Sequence, residues 1–277
     1  MAGLTAEQRA RYDKDGYLVL PALFNRREVN SMANEATRLA QWQVAISLAL
    51  GAPTPRLDVQ RRGDDVVLRK LQPVNDVSPV FARYSRDERL LHPLRDLLGC
   101  EPVLMEEKLN YKQVLPGSPD VVTGDDPDES FPFHTDIAYF WLDGYPIETV
   151  SSAISIDETT IDNGPIIVVP GSHKRQWPHR EGWPPVLADG AVDEADCVPL
   201  LAPPGSVFVF HSALVHASSQ NHTREPRRII IFSHYPETHR VEFDKRNREL
   251  RRRGRAAEER YEELVYSGAK VPEYRLR

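Results

Sequence analysis

Cysteine is almost absent from this chain. Cys100 and Cys197 stand alone in 277 residues and in no metal or redox spacing, which argues against a disulfide scaffold and suits a reducing compartment where both stay thiols. Long apolar runs are missing as well: nowhere do about eighteen apolar residues stand together, so no membrane partner is expected. The opening MAGLTAEQRARYDKDGYLVL lacks a basic segment leading into an apolar one, and a cytoplasmic protein is expected. Nor is there a surplus of positive charge. A net charge of -6 and a pI near 5.9 leave no field to hold a phosphate backbone, so nucleic acid is not expected as the main partner. What is present is a hydrophobic fraction of 40%, enough for a full core, and all-β folds of this length are often undivided. A single domain over residues 1–277 is expected, with no signal of oligomeric state.

The texture of the chain changes along its length. Thr5 with Gln8 three places on has the pattern of a capping box, Gly16 closes that helix, and YLVLPAL follows as a short strand. NRREVNSMANEATRLAQWQVAISLAL carries apolar residues at helical spacing. Together these predict an N-terminal helical layer over about 1–60. From about 64 to 236 the chain turns to short β-rich runs separated by Gly, Pro, Asn and Asp: VVLRKLQPV, PVLMEEKLNYKQV, FPFHTDIAYFW, TVSSAISI, PIIVVPG, SVFVFHSALVHAS and RRIIIFSHY. That pattern predicts a sandwich or barrel rather than a parallel sheet. Residues 116–130, PGSPDVVTGDDPDES, read as a long mobile loop, either a lid or a disordered surface insertion. The charge-mixed stretch 237–277 reads as a solvated helical tail.

Within FPFHTDIAYF, residues 131–140, a histidine and an aspartate interrupt an apolar run. On a strand, His134 and Asp136 share a face. With a second histidine they form the two-histidine, one-carboxylate triad of non-haem Fe(II) oxygenases; the alternative is a hydrogen-bonded core pair. Of the nine histidines, His216, at the end of an apolar run and before a polar turn, is the leading partner, with His211 its closest rival and otherwise a core or supporting residue. Arg227 and Arg228 precede the apolar IIIFSHY. One of them facing inward could grip a buried carboxylate with two parallel hydrogen bonds; the alternative is a strand-edge arginine reaching water.

Taken together, DGYLVLPALFNRREV, HTD at 134–136, DNGPIIVVPGSH at 162–173 and HASSQNHTREPRR at 216–228 resemble the phytanoyl-CoA dioxygenase family of Fe(II)- and 2-oxoglutarate-dependent oxygenases. The resemblance covers most of the chain and is specific in order and spacing. It implies a double-stranded β-helix, a jelly-roll barrel with flanking helices. It also implies iron held by His134, Asp136 and His216, and 2-oxoglutarate held through its far carboxylate by Arg227, eleven residues after the distal histidine, and by Ser218. Lys108 and Lys70 fall where relatives place groups near the co-substrate. Relatives that halogenate replace the carboxylate ligand with a small residue; Asp136 is present, which favours hydroxylation.

The implied activity is oxidation of an unactivated carbon of a small-molecule substrate, with O2 consumed and succinate and CO2 released. Tyr139 and Trp141, next to the metal motif, are expected at the substrate pocket. Substrates in such a family range over acyl-CoA thioesters, ectoine-type solutes and secondary metabolites. HTDIAYFWLDGYP also resembles ectoine hydroxylases, without their tryptophan-rich pattern. No basic patch near the motifs suits a CoA nucleotide, so a small metabolite, such as one from natural-product biosynthesis, is expected. Desaturation, epoxidation or cyclisation by the same iron chemistry stays open, as do a cupin-type metal enzyme that does not use 2-oxoglutarate and a binder without turnover.

Overall fold

The structure, a computed structural model, describes residues 3–239 and 245–276. In chain order its elements are α1 (Ala6–Asp15), β1 (Tyr17–Leu20), α2 (Arg26–Leu50), β2 (Leu57–Arg62), β3 (Asp65–Leu71), α3 (Pro79–Tyr84), α4 (Glu88–Leu98), β4 (Pro102–Val114), β5 (Gly124–Asp125) and β6 (Phe131–His134). There follow α5 (Ile137–Phe140), β7 (Val150–Ser155), β8 (Ile166–Val168), β9 (Val198–Pro199), β10 (Val207–His211), β11 (His216–Ser218), β12 (Ile229–Pro236) and α6 (Lys245–Tyr266). Thr5 and Gln8 form the expected reciprocal cap of α1. Gly16 ends it at a φ of 81°, where a Cβ would also stand 2.4 Å from Nδ1 of the His173 ring. Glycine is required there on both counts.

An eight-stranded sheet runs β1-β10-β7-β12-β4-β3-β2-β5, and a four-stranded sheet runs β6-β11-β8-β9. Side-chain alternation divides two cores between them. From β10, Val207 and Val209 join a cluster with Met32, Ala36 and Leu39 of α2, while Phe208 and Phe210 point the other way, into a cluster with Ile166 and Val168 of the small sheet. Strand β12 repeats the pattern, with Ile230 and Phe232 toward the helices and Ile229 and Ile231 toward the small sheet. The helices therefore cover one face of the large sheet and the small sheet covers the other. This is the jelly-roll arrangement expected from the sequence.

Residues 116–130 are not a disordered insertion. Val121 is 1% exposed within the helix-side core, and the Thr123 hydroxyl accepts from the Val59 amide and donates to the Val59 carbonyl. Gly124–Asp125 pairs in parallel with β2. Glu129 is fully buried and accepts from Arg62 and from the Asn221 amide. Val121, Thr123 and Glu129 tie the stretch to the body, while Ser118, Asp120, Asp125 and Asp128 face solvent.

The charged tail also differs from a solvated helix. Of the expected 237–277 stretch, residues 240–244 and 277 lie outside the described residues. Within α6, Glu258 pairs at 2.7 Å with Arg56, whose side chain has no exposure, Arg251 pairs at 2.8 Å with Glu107 on β4, and Asn247 donates to the Met105 carbonyl. One face of the helix is fastened to the body by charge.

Candidate metal centre and adjoining cavity

His134 and Asp136 do not share a strand face. Strand β6 ends at His134, and Asp136 has helical φ and ψ of -60° and -36° at the start of α5. The reason lies in 135–140, which coils into a helical turn once the Ile137 amide is taken by the Ser212 carbonyl. The two side chains still converge, because the turn swings the carboxylate back toward the strand end. His216 opens β11 as the cross-strand partner of His134, with ring centroids 4.3 Å apart. One ligand atom from each of His134, Asp136 and His216 lies within 4.8 Å of the others.

The hydrogen bonds around the three orient them. Nδ1 of His134 meets the Pro132 carbonyl at 2.7 Å, and Nδ1 of His216 meets the Leu214 carbonyl at 3.0 Å. A carbonyl only accepts, so each Nδ1 carries the proton and each Nε2 keeps a lone pair. Both Nε2 atoms stand 3.9 Å from Oδ1 of Asp136. Ser151 donates to Oδ2 of Asp136 at 3.3 Å. Burial, with His216 acting in the same direction, pushes His134 down to about 3, which keeps it neutral. For Asp136 burial acts upward, but the Lys108 charge and the hydrogen bond from Ser151 act against it, and the carboxyl is held below its ordinary range. Two imidazole nitrogens and one carboxylate are a donor set suited to Fe(II).

A cavity of about 280 Å³ opens beside the cluster, lined among others by His134, Asp136, His216, Ser218, Arg227, Lys108, Lys70 and Tyr139. Arg227 has 1% exposure, its Nε and Nη2 have no hydrogen-bond partner, and Oγ of Ser218 has none either. Burial lowers the Arg227 guanidinium to about 10, leaving it charged at neutral pH. Arg228 points elsewhere, forming an ion pair of 2.7 Å with Asp157. Lys108 bridges Glu106 at 3.1 Å and Asp136 at 3.7 Å. His211 lies beside His173, at 5.4 Å between ring centroids, in a different cleft.

Tyr139 stands edge-on to the His134 ring at 5.7 Å. Trp141 is placed otherwise than expected: it is 71% exposed and outside the cavity lining. Two helical residues past Tyr139 rotate a side chain by about 200°, so the two cannot face the same way. Sequence reasoning missed Gln72, Glu106, Arg69 and Asn110, all of which line the cavity. Glu106, Lys108 and Asn110 alternate along β4, a period-two signal that was available once EEKLNYK was read as a strand. Lys112, one step further, is 1% exposed and donates to the Ser218 and Ser219 carbonyls. Burial and neighbouring Arg227 lower it to about 6.

Residues 12–229 match the phytanoyl-CoA dioxygenase (PhyH) family. The chain belongs to that family. Membership bears out the resemblance drawn from HTD and HASSQNHTREPRR, and with it the enzyme class, a dioxygenase. The chain is 31% identical over 245 residues to the ectoine dioxygenase of Sphingopyxis alaskensis, covering 82% of this chain and 74% of that one. It is 23% identical over 252 residues to the L-proline trans-4-hydroxylase of Streptomyces griseoviridis, covering 82% and 85%. It spans only half, 50%, of the ectoine dioxygenase of Bordetella parapertussis. The solved structure of EctD from S. alaskensis with bound Fe aligns with a TM-score of 0.66 at 28% identity, covering 86% of this chain and 79% of that one. The same protein with 2-oxoglutarate and 5-hydroxyectoine aligns at 0.63 and 27%, covering 86% and 78%.

Proposed function

We propose that this PhyH-family protein is a non-haem Fe(II)- and 2-oxoglutarate-dependent dioxygenase that hydroxylates an unactivated carbon of a small-molecule metabolite. His134, Asp136 and His216 would hold the iron, and Arg227 with Ser218 the far carboxylate of 2-oxoglutarate. Bound iron with 2-oxoglutarate and O2 supplies an oxidant strong enough to attack an aliphatic C–H bond, with succinate and CO2 as co-products. The chain's own part is to bind, orient and exclude water. Backbone carbonyls fix the imidazole tautomers, Ser151 turns the carboxylate, and Phe210, Ile166 and Ile231 give the cavity a dry wall.

One observation carries this reading: Arg227, fully buried, presents two unmatched N–H groups to the cavity that the triad also lines, beside the unmatched Ser218 hydroxyl. A buried guanidinium without an anion is costly, and a dicarboxylate with one end on the metal supplies that anion at the other. A metal site that made no use of 2-oxoglutarate would have no need of it. The relatives named as ectoine dioxygenase and L-proline trans-4-hydroxylase support a compact substrate.

The test is anaerobic addition of Fe(II) and 2-oxoglutarate to the purified protein, followed by the weak visible charge-transfer band of the chelate. Wild type is expected to show the band and Arg227→Ala to weaken it. Bound iron without a band in wild type would overturn the 2-oxoglutarate reading in favour of a cupin-type site.

A further inference from the structure

With Arg227 and Ser218 matched to the co-substrate, the cavity still holds unfilled polar groups of both signs. Arg69, at the irregularity of β3, stands over the Phe131 ring at 4.3 Å, donates to the Ser130 carbonyl at 2.9 Å, and lies 3.5 Å from Asp126 and 4.0 Å from Asp58. Its Nε is buried and has no hydrogen-bond partner. On β4, Glu106 is 6% exposed. Gln72 donates to its Oε2 at 2.7 Å. Oε1 lies 3.1 Å from Lys108 Nζ, but out of line, so it receives no hydrogen bond. Between the two levels, Asn110 Oδ1 also lacks a donor.

These groups form one floor. Asp58, Lys70 and Asn110 stand in register across β2, β3 and β4, and Glu106 lies further along β4. The opposite wall is apolar, with Pro132, Pro184 and Val186. A buried donor or acceptor left unmatched costs more than a typical hydrogen bond returns, so a matching occupant must bring both an acceptor and a donor. An acyl thioester chain brings a carbonyl acceptor but no donor and no charge. Glu106 is already paired with Lys108, and Arg69 with Asp126 and Asp58. A neutral molecule would meet the open Nε and Oε1 by ordinary hydrogen bonds alone, whereas an anion at the first and a cation at the second make the stronger charge-assisted ones.

We propose that the substrate is a compact zwitterion, its cationic nitrogen received by Glu106 and its carboxylate by Arg69, which makes these two residues the specificity determinants of the site. This rests on the dioxygenase reading above. Both groups are held by neighbours, so the pairing is prepared rather than induced.

The experiment is calorimetry on protein loaded anaerobically with Mn(II) and 2-oxoglutarate, whose own binding is measured first in every variant. The probes are the common amino acids and ectoine, then the methyl ester and the N-acetyl derivative of whichever binds, and hexanoyl-CoA. At least one zwitterion is expected to bind, with both derivatives weaker by about tenfold or more. Glu106→Gln should weaken the parent and the ester while leaving the N-acetyl derivative unchanged. Arg69→Met should weaken the parent and the N-acetyl derivative while leaving the ester unchanged. A merely structural role would lower all three together. Binding of no zwitterion to protein that binds 2-oxoglutarate, tighter binding of hexanoyl-CoA, or equal losses across the derivatives would overturn the proposal. Failure of 2-oxoglutarate itself to bind would count instead against the co-substrate site.

Discussion

Ser151 holds Asp136 by one oxygen, donating at 3.3 Å to Oδ2, and leaves Oδ1 facing both histidines. Its hydroxyl is fixed in turn by Ser233 at 2.8 Å. A hydroxyl in this position acts on the proposed metal only through the carboxylate. Ser151→Ala should fold normally and lower Fe(II) or Co(II) affinity by about tenfold, the usual effect of removing an outer partner of a ligand. Metal titration followed by absorbance checks it. Unchanged affinity would mean that Lys108 alone orients the carboxylate.

Asp136→Ala removes the one anionic donor of the proposed triad. Iron occupancy should fall by about a hundredfold or more and succinate formation with it, because two imidazoles without an anionic ligand retain a divalent ion poorly. Metal analysis after dialysis, together with succinate release, makes the comparison. Full occupancy with full turnover would remove Asp136 from the ligand set.

The fold was legible in the sequence because its signals were local and redundant. Thr5 with Gln8 marked α1, and PVLMEEKLNYKQV matched β4, residues 102–114. The position of Asp136 was not, since nothing in HTDIAYF distinguishes a continuing strand from a strand that breaks after His134; the break is set by the distant Ser212 carbonyl. Arg227 and Arg228 are likewise indistinguishable by composition. What separates them is Asp157, 71 residues away in sequence, which captures Arg228 and leaves its neighbour facing inward. Glu106 and Arg69 went unread because a charged residue on a strand ordinarily signals a solvated face. Here their strands curve around a cavity.

Acid should destabilise the protein through its buried histidines. Burial pushes His234, 1% exposed, down to about 4, against weak opposition from the backbone of Ser85 and Phe232. An unfolded histidine titrates near 6.5. Between those values the unfolded chain holds more protons, so stability rises with pH. His234 therefore contributes stability that is complete above about pH 6.5 and is lost as the pH falls toward 4, by at most about 3 kcal/mol. Urea unfolding at about pH 7.5 and about pH 5 should show the loss. His234→Leu should shrink the difference, and an unchanged difference would assign it to other groups.

The charged C-terminal helix should be a stability element despite its polar composition. Arg56 has no side-chain exposure and divides its guanidinium between Asp76 at 2.9 Å and Glu258 at 2.7 Å, with the Pro73 carbonyl taking a further N–H. Its carboxylate partners, not its packing, make that burial tolerable. Glu258→Ala leaves the buried cation half-matched and also deprives Gln43 of its acceptor. The cost should be about 3 kcal/mol, the lower range for breaking a buried pair, because Asp76 remains. Replacing both partners, Arg56→Met with Glu258→Met, should recover most of that loss, since no charge is then left uncompensated. Gly254→Ala offers an independent check: its Cβ would stand 2.6 Å from Arg56 Nε and should loosen the same contact without removing a charge. Urea midpoints for the three variants decide the matter, and a silent Glu258→Ala would show that α6 contributes nothing to the stability of the body it packs on.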